Sequence, residues 1–171
     1  SLISAIGNSD KNLAKPPGGK DCKPIPAMSP GDVATVALGQ QSEKAFYSSW
    51  GNNWADVSAP GGDDQAGAGC TNEIVSTIPG GWACLQGTSM ASPHTTGVAA
   101  LIISQFGTKK GNRIVMSPAT VQKLLFKTAI DIGVKGRDKC FGYGRIDALR
   151  AVNRDTSYLR DKSAPACTEP D

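Results

Sequence analysis

Apolar positions along this chain fall in short runs cut off by glycine and proline, and their spacing shifts from strand-like to helix-like partway along. Leu2 to Ile6 reads as a short buried strand that runs straight into Gly7-Asn8-Ser9-Asp10, a turn-rich break. Residues 14–24, with Pro16-Pro17-Gly18-Gly19 and Pro24, read as a loop, and Val33 to Leu38 as a second apolar strand. A polar stretch ends in Phe46-Tyr47-Ser48-Ser49-Trp50-Gly51. Trp54 to Ala59 is strand-like and closed by Pro60-Gly61-Gly62. Glu73 to Ile78 is β-branched and alternating, and Pro79-Gly80-Gly81 turns it back toward Trp82.

The helical periods come next. Ser89 to Phe106 predicts a helix whose middle, Val98 to Ile103, is apolar nearly all round and therefore expected in the core between other layers. A second helix is predicted to open at Ser117 as N-cap with Pro118 in the first helical position, and Val121, Leu124 and Leu125 give it an apolar stripe. Phe141 to Asp147 is a glycine-kinked segment followed by a short helix through Ala148 to Val152, and the tail after Arg154 is polar. Short buried strands interleaved with helices predict an α/β layered domain, a mainly parallel sheet flanked by helices. Because residue 1 already lies in the run-up to a buried strand, the chain is expected to begin in mid-domain.

Composition narrows the class. Of 171 residues, 39% are hydrophobic and 19% charged, which fits a globular chain rather than a disordered one. The longest apolar run, Val98 to Ile103, is far below the roughly 20 residues a membrane-crossing helix needs, and the first residues do not have the make-up of a secretory leader. The net charge of +3 is uneven: residues 1–106 carry five Lys/Arg against eight Asp/Glu, residues 107–171 thirteen against seven. The basic residues are dispersed over predicted helix faces and loops without aromatic interleaving. That describes a solvated surface and predicts no nucleic-acid partner.

Five cysteines stand at 22, 70, 84, 140 and 167, with no CxxC pair and a single histidine, so no metal site is expected. Their spacing suits structural disulfides and an oxidising, secreted or extracytoplasmic setting. Cys70 and Cys84 bracket the predicted hairpin, Cys140 and Cys167 are placed to staple the tail, and Cys22 is the odd thiol, available to something outside this chain.

The segment Gly87-Thr88-Ser89-Met90-Ala91-Ser92-Pro93-His94 carries the candidate chemistry. Gly87 allows a tight turn, and Ser89 follows at the start of a helix, where unpaired N–H groups and the positive dipole end face outward. Ala91 and Ser92 are small enough for another chain to approach, and Pro93 is tolerated in the first turn. A hydroxyl beside unpaired N–H donors supplies what acyl transfer needs, a nucleophile and a pole for an oxyanion. Taken alone, the same pattern also describes an ordinary serine N-cap.

This eight-residue segment resembles the nucleophile signature of the subtilisin-like serine peptidases, the subtilases. Gly97 to Leu101 continues as that family's central helix does, and Ala5-Ile6-Gly7-Asn8 resembles its oxyanion-asparagine strand end. Ile25-Pro26-Ala27, Phe46 to Gly51, Val57 to Gly61, Ile74 to Ile78 and Tyr143 to Ala148 follow in the family's order, so the likeness covers about residues 2–152. It implies a subtilisin-like three-layer fold, with residues 1–154 as the C-terminal part of the catalytic domain and 155–171 as a tail tethered by disulfide. It further implies Ser89 as nucleophile, with its backbone N–H and the Asn8 side-chain amide as oxyanion donors, the latter typically contributing about 2.7–4 kcal/mol. Thr88 would sit behind that site. Ala5, Ile6 and Gly7 would wall the pocket for the substrate side chain preceding the cut, Ile6 being bulkier than the small residues often found there. No cofactor is required. A structural calcium, common in the family, would fall to backbone carbonyls of the 22–27 loop.

A serine hydroxyl needs a base, usually a histidine oriented by a carboxylate. His94 is badly placed for it: five residues along a helix rotate a side chain by about 140° net and raise it by roughly 7.5 Å. A structural, hydrogen-bond-satisfied histidine in a buried helix is expected instead. In subtilases the triad Asp and His precede the oxyanion Asn, and this chain starts just before Asn8. The expected partner is therefore an N-terminal chain or segment carrying Asp and His, without which the chain is not catalytic, and the expected substrate is a peptide or protein. Three readings stand open: an endopeptidase, a peptide ligase or macrocyclase in which an amine intercepts the same acyl-enzyme, and a non-catalytic peptide-binding fragment.

Overall fold

The computed structural model describes residues 1–15, 23–67 and 69–167, except for the side chain of residue 66. Three parallel strands form its sheet: β1 (Leu2–Ala5), β2 (Asp32–Leu38) and β3 (Val57–Pro60), in the order β1-β2-β3. Leu2 stands opposite Asp32 and Ala5 opposite Thr35, while Thr35 stands opposite Val57 and Leu38 opposite Pro60. As the middle strand, β2 has both faces covered, and its unbroken apolar run is buried from Val33 to Leu38.

Side chains alternate across β2 and so divide the core into two layers. On one face Thr35 Oγ1 donates to Thr95 Oγ1 at 3.2 Å, and Ala37 packs with Ala91, both partners lying on helix α1 (Thr88–Phe106). On the other face Ala34 and Val36 pack with Ile6, Leu13, Ala27, Met28 and Ala55. Beyond α1, Val98 and Ile102 meet Val121 and Leu125 of α2 (Pro118–Thr128) and Ala151 of α3 (Ala148–Val152). The Ser117 side chain caps α2 by accepting from Thr120 N, with Pro118 in the first turn. This is an α/β architecture, a parallel sheet flanked by helices.

Two antiparallel hairpins stand off this body. β4 (Ile74–Ile78) pairs with β5 (Gly81–Leu85), stapled by a Cys70–Cys84 disulfide. β6 (Thr108–Lys110) pairs with β7 (Arg113–Val115), and nothing in the sequence pattern announced it: each strand has three residues, all exposed, so no buried face imposes a period. β3 starts at Val57 rather than Trp54, because Trp54 N and Ala55 N both turn back onto Gly51 O at 3.1 Å.

One expectation needs correcting. The middle of α1 is covered on one side only: Val98, Ala99 and Ile102 are buried, while Leu101 is 46% exposed. The polar tail packs back on the body. Asp131 N donates to Leu159 O and Asp161 N to Asp131 O, Arg145 pairs with Asp161 at 3.4 Å, and a Cys140–Cys167 disulfide closes the strap. Cys22 lies outside the described residues.

Candidate active site

β1 delivers Gly7 and Asn8 to the mouth of α1. Ile6 N still donates to Thr35 O at 3.1 Å, prolonging the sheet, and the chain then turns at Gly7, whose φ of 114° suits glycine. Gly7 N donates to Thr88 Oγ1 at 3.3 Å, and Gly7 O accepts from Ser49 N at 2.8 Å. From the other side, Gly87 enters α1 with φ 153°, its N–H donating to Gly61 O at 2.9 Å. Gly61 permits that approach: a Cβ there would stand 2.5 Å from the Ala37 Cβ.

The two segments meet through one side-chain amide. Asn8 Oδ1 accepts from Thr88 N at 2.9 Å and from Thr88 Oγ1 at 2.6 Å. A backbone N–H can only donate, so the atom facing it must be oxygen, and the Asn8 Nδ2 group is turned the other way. Nδ2 lies against Gly87, 3.4 Å from where a Cβ would stand. Among the described residues it has no hydrogen-bond partner.

The N–H groups of the first turn of α1 divide unequally. Thr88 N goes to Asn8, and Met90 N and Ala91 N go to Gly87 O at 2.9 and 3.3 Å. Ser89 N has no partner among the described residues, and the Ser89 side chain is exposed. An oriented amide and a helix-terminal N–H thus stand on two segments joined by the Asn8–Thr88 bonds, next to an accessible hydroxyl, and such donors can hold negative charge on an oxygen.

An open groove of about 560 Å³ runs from Ser89 along the outer edge of β1, with Ser4, Ala5 and Pro26 on one wall and Ser92, Pro93 and Thr96 on the other. Of the sequence-predicted wall, Ala5 lines the groove, whereas Gly7 and Thr88 do not. The bulk of Ile6 does not enter, because its side chain is 1% exposed and packed in the core. Thr88 is buried behind Asn8.

His94 is exposed rather than buried, correcting the expectation of a core histidine. Its Nδ1–H donates to Met90 O at 2.8 Å, so it is satisfied within its own helix. In the loop offered for calcium, Pro24 O and Pro26 O already accept from Met28 N and Ser29 N, and residue 22 lies outside the described residues. Among the described residues no three His, Cys, Asp or Glu cluster as metal ligands would. Phe46 to Gly51 enters the resemblance by its place in the family's order, and the sequence alone gives it no task. That segment supplies Ser49 N to Gly7 O, and no periodicity could have flagged a backbone contact.

The Subtilase family matches over residues 1–144. A thermophilic serine proteinase of Bacillus sp. (strain AK1) is 36% identical over 128 residues, covering 74% of this chain and 26% of its own length. An extracellular protease of Xanthomonas campestris is 34% identical over 153 residues, covering 88% of this chain and 23% of the relative. A lanthipeptide protease of known crystal structure superimposes with a TM-score of 0.78 at 27% identity, over 89% of this chain and 50% of that one. The chain therefore spans about a quarter of the length of these two curated relatives, and with a family match over residues 1–144 it belongs to the subtilases, the subtilisin-like serine peptidases.

Proposed function

We propose that this chain is the nucleophile-bearing part of a secreted serine endopeptidase whose histidine and aspartate come from an upstream chain or segment. In this reading Ser89 Oγ attacks a peptide carbonyl carbon while the upstream histidine takes its proton. The carbonyl oxygen becomes an oxyanion held by Asn8 Nδ2 and Ser89 N. Collapse breaks the C–N bond, the histidine returns its proton to the leaving amine, and water, deprotonated by the same histidine, releases the acid and restores Ser89. The observation that carries the reading is the orientation of Asn8: Thr88 engages its oxygen at 2.9 and 2.6 Å and leaves Nδ2, like Ser89 N, without a partner among the described residues.

The upstream segment has a fitting surface to meet. Among the described residues β1 pairs with β2 alone, so its outer edge presents unpaired backbone, and Leu2 on it is exposed. Beside it Pro93, Thr96, Gly97, Ala100 and Leu101 form an exposed stripe of small and apolar residues along α1, at helical spacing. A strand added to β1, backed by apolar residues against that stripe, would cover both. Residues 1–154 would then belong to the catalytic domain and 155–171 to its strap. The two disulfides, and the extracellular naming of the Xanthomonas relative, support secretion.

The test is a fluorophosphonate probe applied to the complete protease. The adduct is expected on Ser89 in the presence of the upstream segment, with none in a Ser89→Ala variant. Failure of the intact protein to label would leave the non-catalytic fragment as the answer. The mass of a peptide product then separates hydrolysis, which adds water, from ligation.

A further inference from the structure

The two donors assigned to the oxyanion sit on segments far apart in sequence, at residues 8 and 89, and their spacing must be held by something besides Thr88. A third segment, residues 44–50, touches both. Toward Asn8 it forms a backbone clamp: Ser49 N donates to Gly7 O at 2.8 Å, Asp10 N to Tyr47 O at 2.9 Å, and Trp50 N to Lys11 O at 3.0 Å. Asp10, two residues past Asn8, stands at φ 46°, a left-handed conformation that costs a non-glycine residue about 1 kcal/mol. Lys44 holds it there. Its side chain is only 5% exposed, and Nζ donates to Asp10 Oδ1 at 2.9 Å, to Ser48 O at 3.1 Å and to Ala45 O at 3.2 Å, using all three hydrogens.

Toward Ser89 the same segment acts through a phenol. Tyr47 is buried, and its hydroxyl donates to Gly62 O at 2.6 Å with Gly61 O a second acceptor at 3.0 Å. Gly61 O also accepts from Gly87 N, the residue that opens the nucleophile helix. Burial raises the Tyr47 pKa far above that of an ordinary tyrosine, so the phenol remains a neutral donor throughout the working pH range. One short segment thus grips the turn after Asn8 by an ion pair and the entry to Ser89 by a hydroxyl.

We propose that Lys44 and Tyr47 are positioning residues that hold the Asn8 amide and the Ser89 N–H in register as one oxyanion site. The inference rests on the assignment of Asn8 and Ser89 made above. Neither side chain reaches the groove, so both act on the tetrahedral state through the donors rather than on substrate binding. A hydrogen bond slackened by a few tenths of an ångström would lower turnover and leave ground-state affinity intact.

The experiment uses the complete protease, with steady-state kinetics on a peptide anilide and inhibition by a peptidyl boronate, which forms a tetrahedral adduct on serine. Tyr47→Phe, nearly isosteric, is expected to lower kcat about tenfold with KM within about twofold, and to weaken the boronate by a similar factor. Lys44→Met is expected to do the same, and Lys44→Arg, which keeps a buried cation and its donors, to recover part of the loss. Combined with Asn8→Ala, Lys44→Met should add little, because the donor it positions is already gone. Unchanged kcat in Tyr47→Phe, or a loss that falls on KM while boronate affinity holds, overturns the proposal. The Asn8→Ala variant by itself separates the two layers: if it turns over normally the assignment of Asn8 has failed, whereas a slow Asn8→Ala beside a normal Tyr47→Phe defeats only the positioning role. Should Lys44→Met not fold, Tyr47→Phe decides.

Discussion

The two sides of helix α1 are finished to different degrees. On the side of α2, α3 and the tail, specific contacts tie the elements together, although Leu149 and Tyr158 stay exposed. Phe126 stacks on Tyr143 with ring centroids 4.4 Å apart, Arg150 reaches three acceptors, and the Cys140–Cys167 disulfide closes over Phe141 and Ile132. On the side of β1, the strand edge, the stripe from Pro93 to Leu101, Asn8 Nδ2 and Ser89 N are all left without partners among the described residues. A soluble domain seldom leaves a strand edge and an apolar helix face open side by side, because each invites association. Here the openings coincide with the two donors proposed for the oxyanion. On the proposed reading the open side of this chain is its working side, and the tied side keeps α1 fixed while the other is engaged.

Arg150→Ala attacks the finished side hardest. The side chain donates through Nε to Thr128 O at 3.1 Å, through Nη1 to Asp155 at 2.8 Å and through Nη2 to Ser157 O, binding the end of α2, helix α3 and the strap in one contact. The ion pair itself counts for little, since Asp155 is well exposed. The buried carbonyl of Thr128 and the lost packing matter more, and together they predict a destabilisation of about 2–3 kcal/mol in urea unfolding. The Ser157 hydroxyl and N–H, with Arg150 a lesser cause, hold the Asp155 carboxyl below the usual range. Its contribution is therefore present above the unfolded-state pKa and lost as pH falls through the folded one, so the strap should loosen toward acid. An Arg150→Ala chain as stable as the parent would show that the finished side does not depend on this contact.

How much of this could be read from residues follows the same division. The strands Leu2–Ala5 and Asp32–Leu38 and the helix opening at Ser117 were legible, because each has a local cause: a buried apolar run, or a serine–proline start. Ser89 and Asn8 were singled out by their motif, and Thr88 as the residue behind them. What stayed hidden has no local cause. The tasks of Tyr47 and Lys44 depend on carbonyls at 61 and 62 and on a carboxylate at 10, partners that only the tertiary fold brings near. The one-sidedness of α1 was misread because an apolar composition all round reports what a helix can bury, not what is there to bury it.

A smaller effect tests whether α2 belongs to the finished side. Its start relies on Ser117, whose Oγ accepts from Thr120 N at 3.2 Å and shares a hydrogen with Thr120 Oγ1 at 2.7 Å. Ser117→Ala should cost about 1 kcal/mol, read as a lowered thermal midpoint, and Ser117→Asp should restore most of it because a carboxylate also accepts from the first-turn N–H groups. An equal loss in both variants would mean that the hydroxyl serves something other than the cap.

The smallest expected number is the most telling, because it should be close to zero. Leu101 is the largest apolar side chain of the open stripe and is 46% exposed, so in the 171-residue chain Leu101→Ala removes little buried surface and keeps a good helix former. Its effect on unfolding of the chain should fall within about 0.5 kcal/mol. The same substitution in the complete protease should cost several times more if an upstream segment packs on the stripe, since the leucine would then be a core residue whose loss leaves a cavity. Equal, small effects in both settings would mean that nothing rests on that face, and the open side of α1 would be surface like any other.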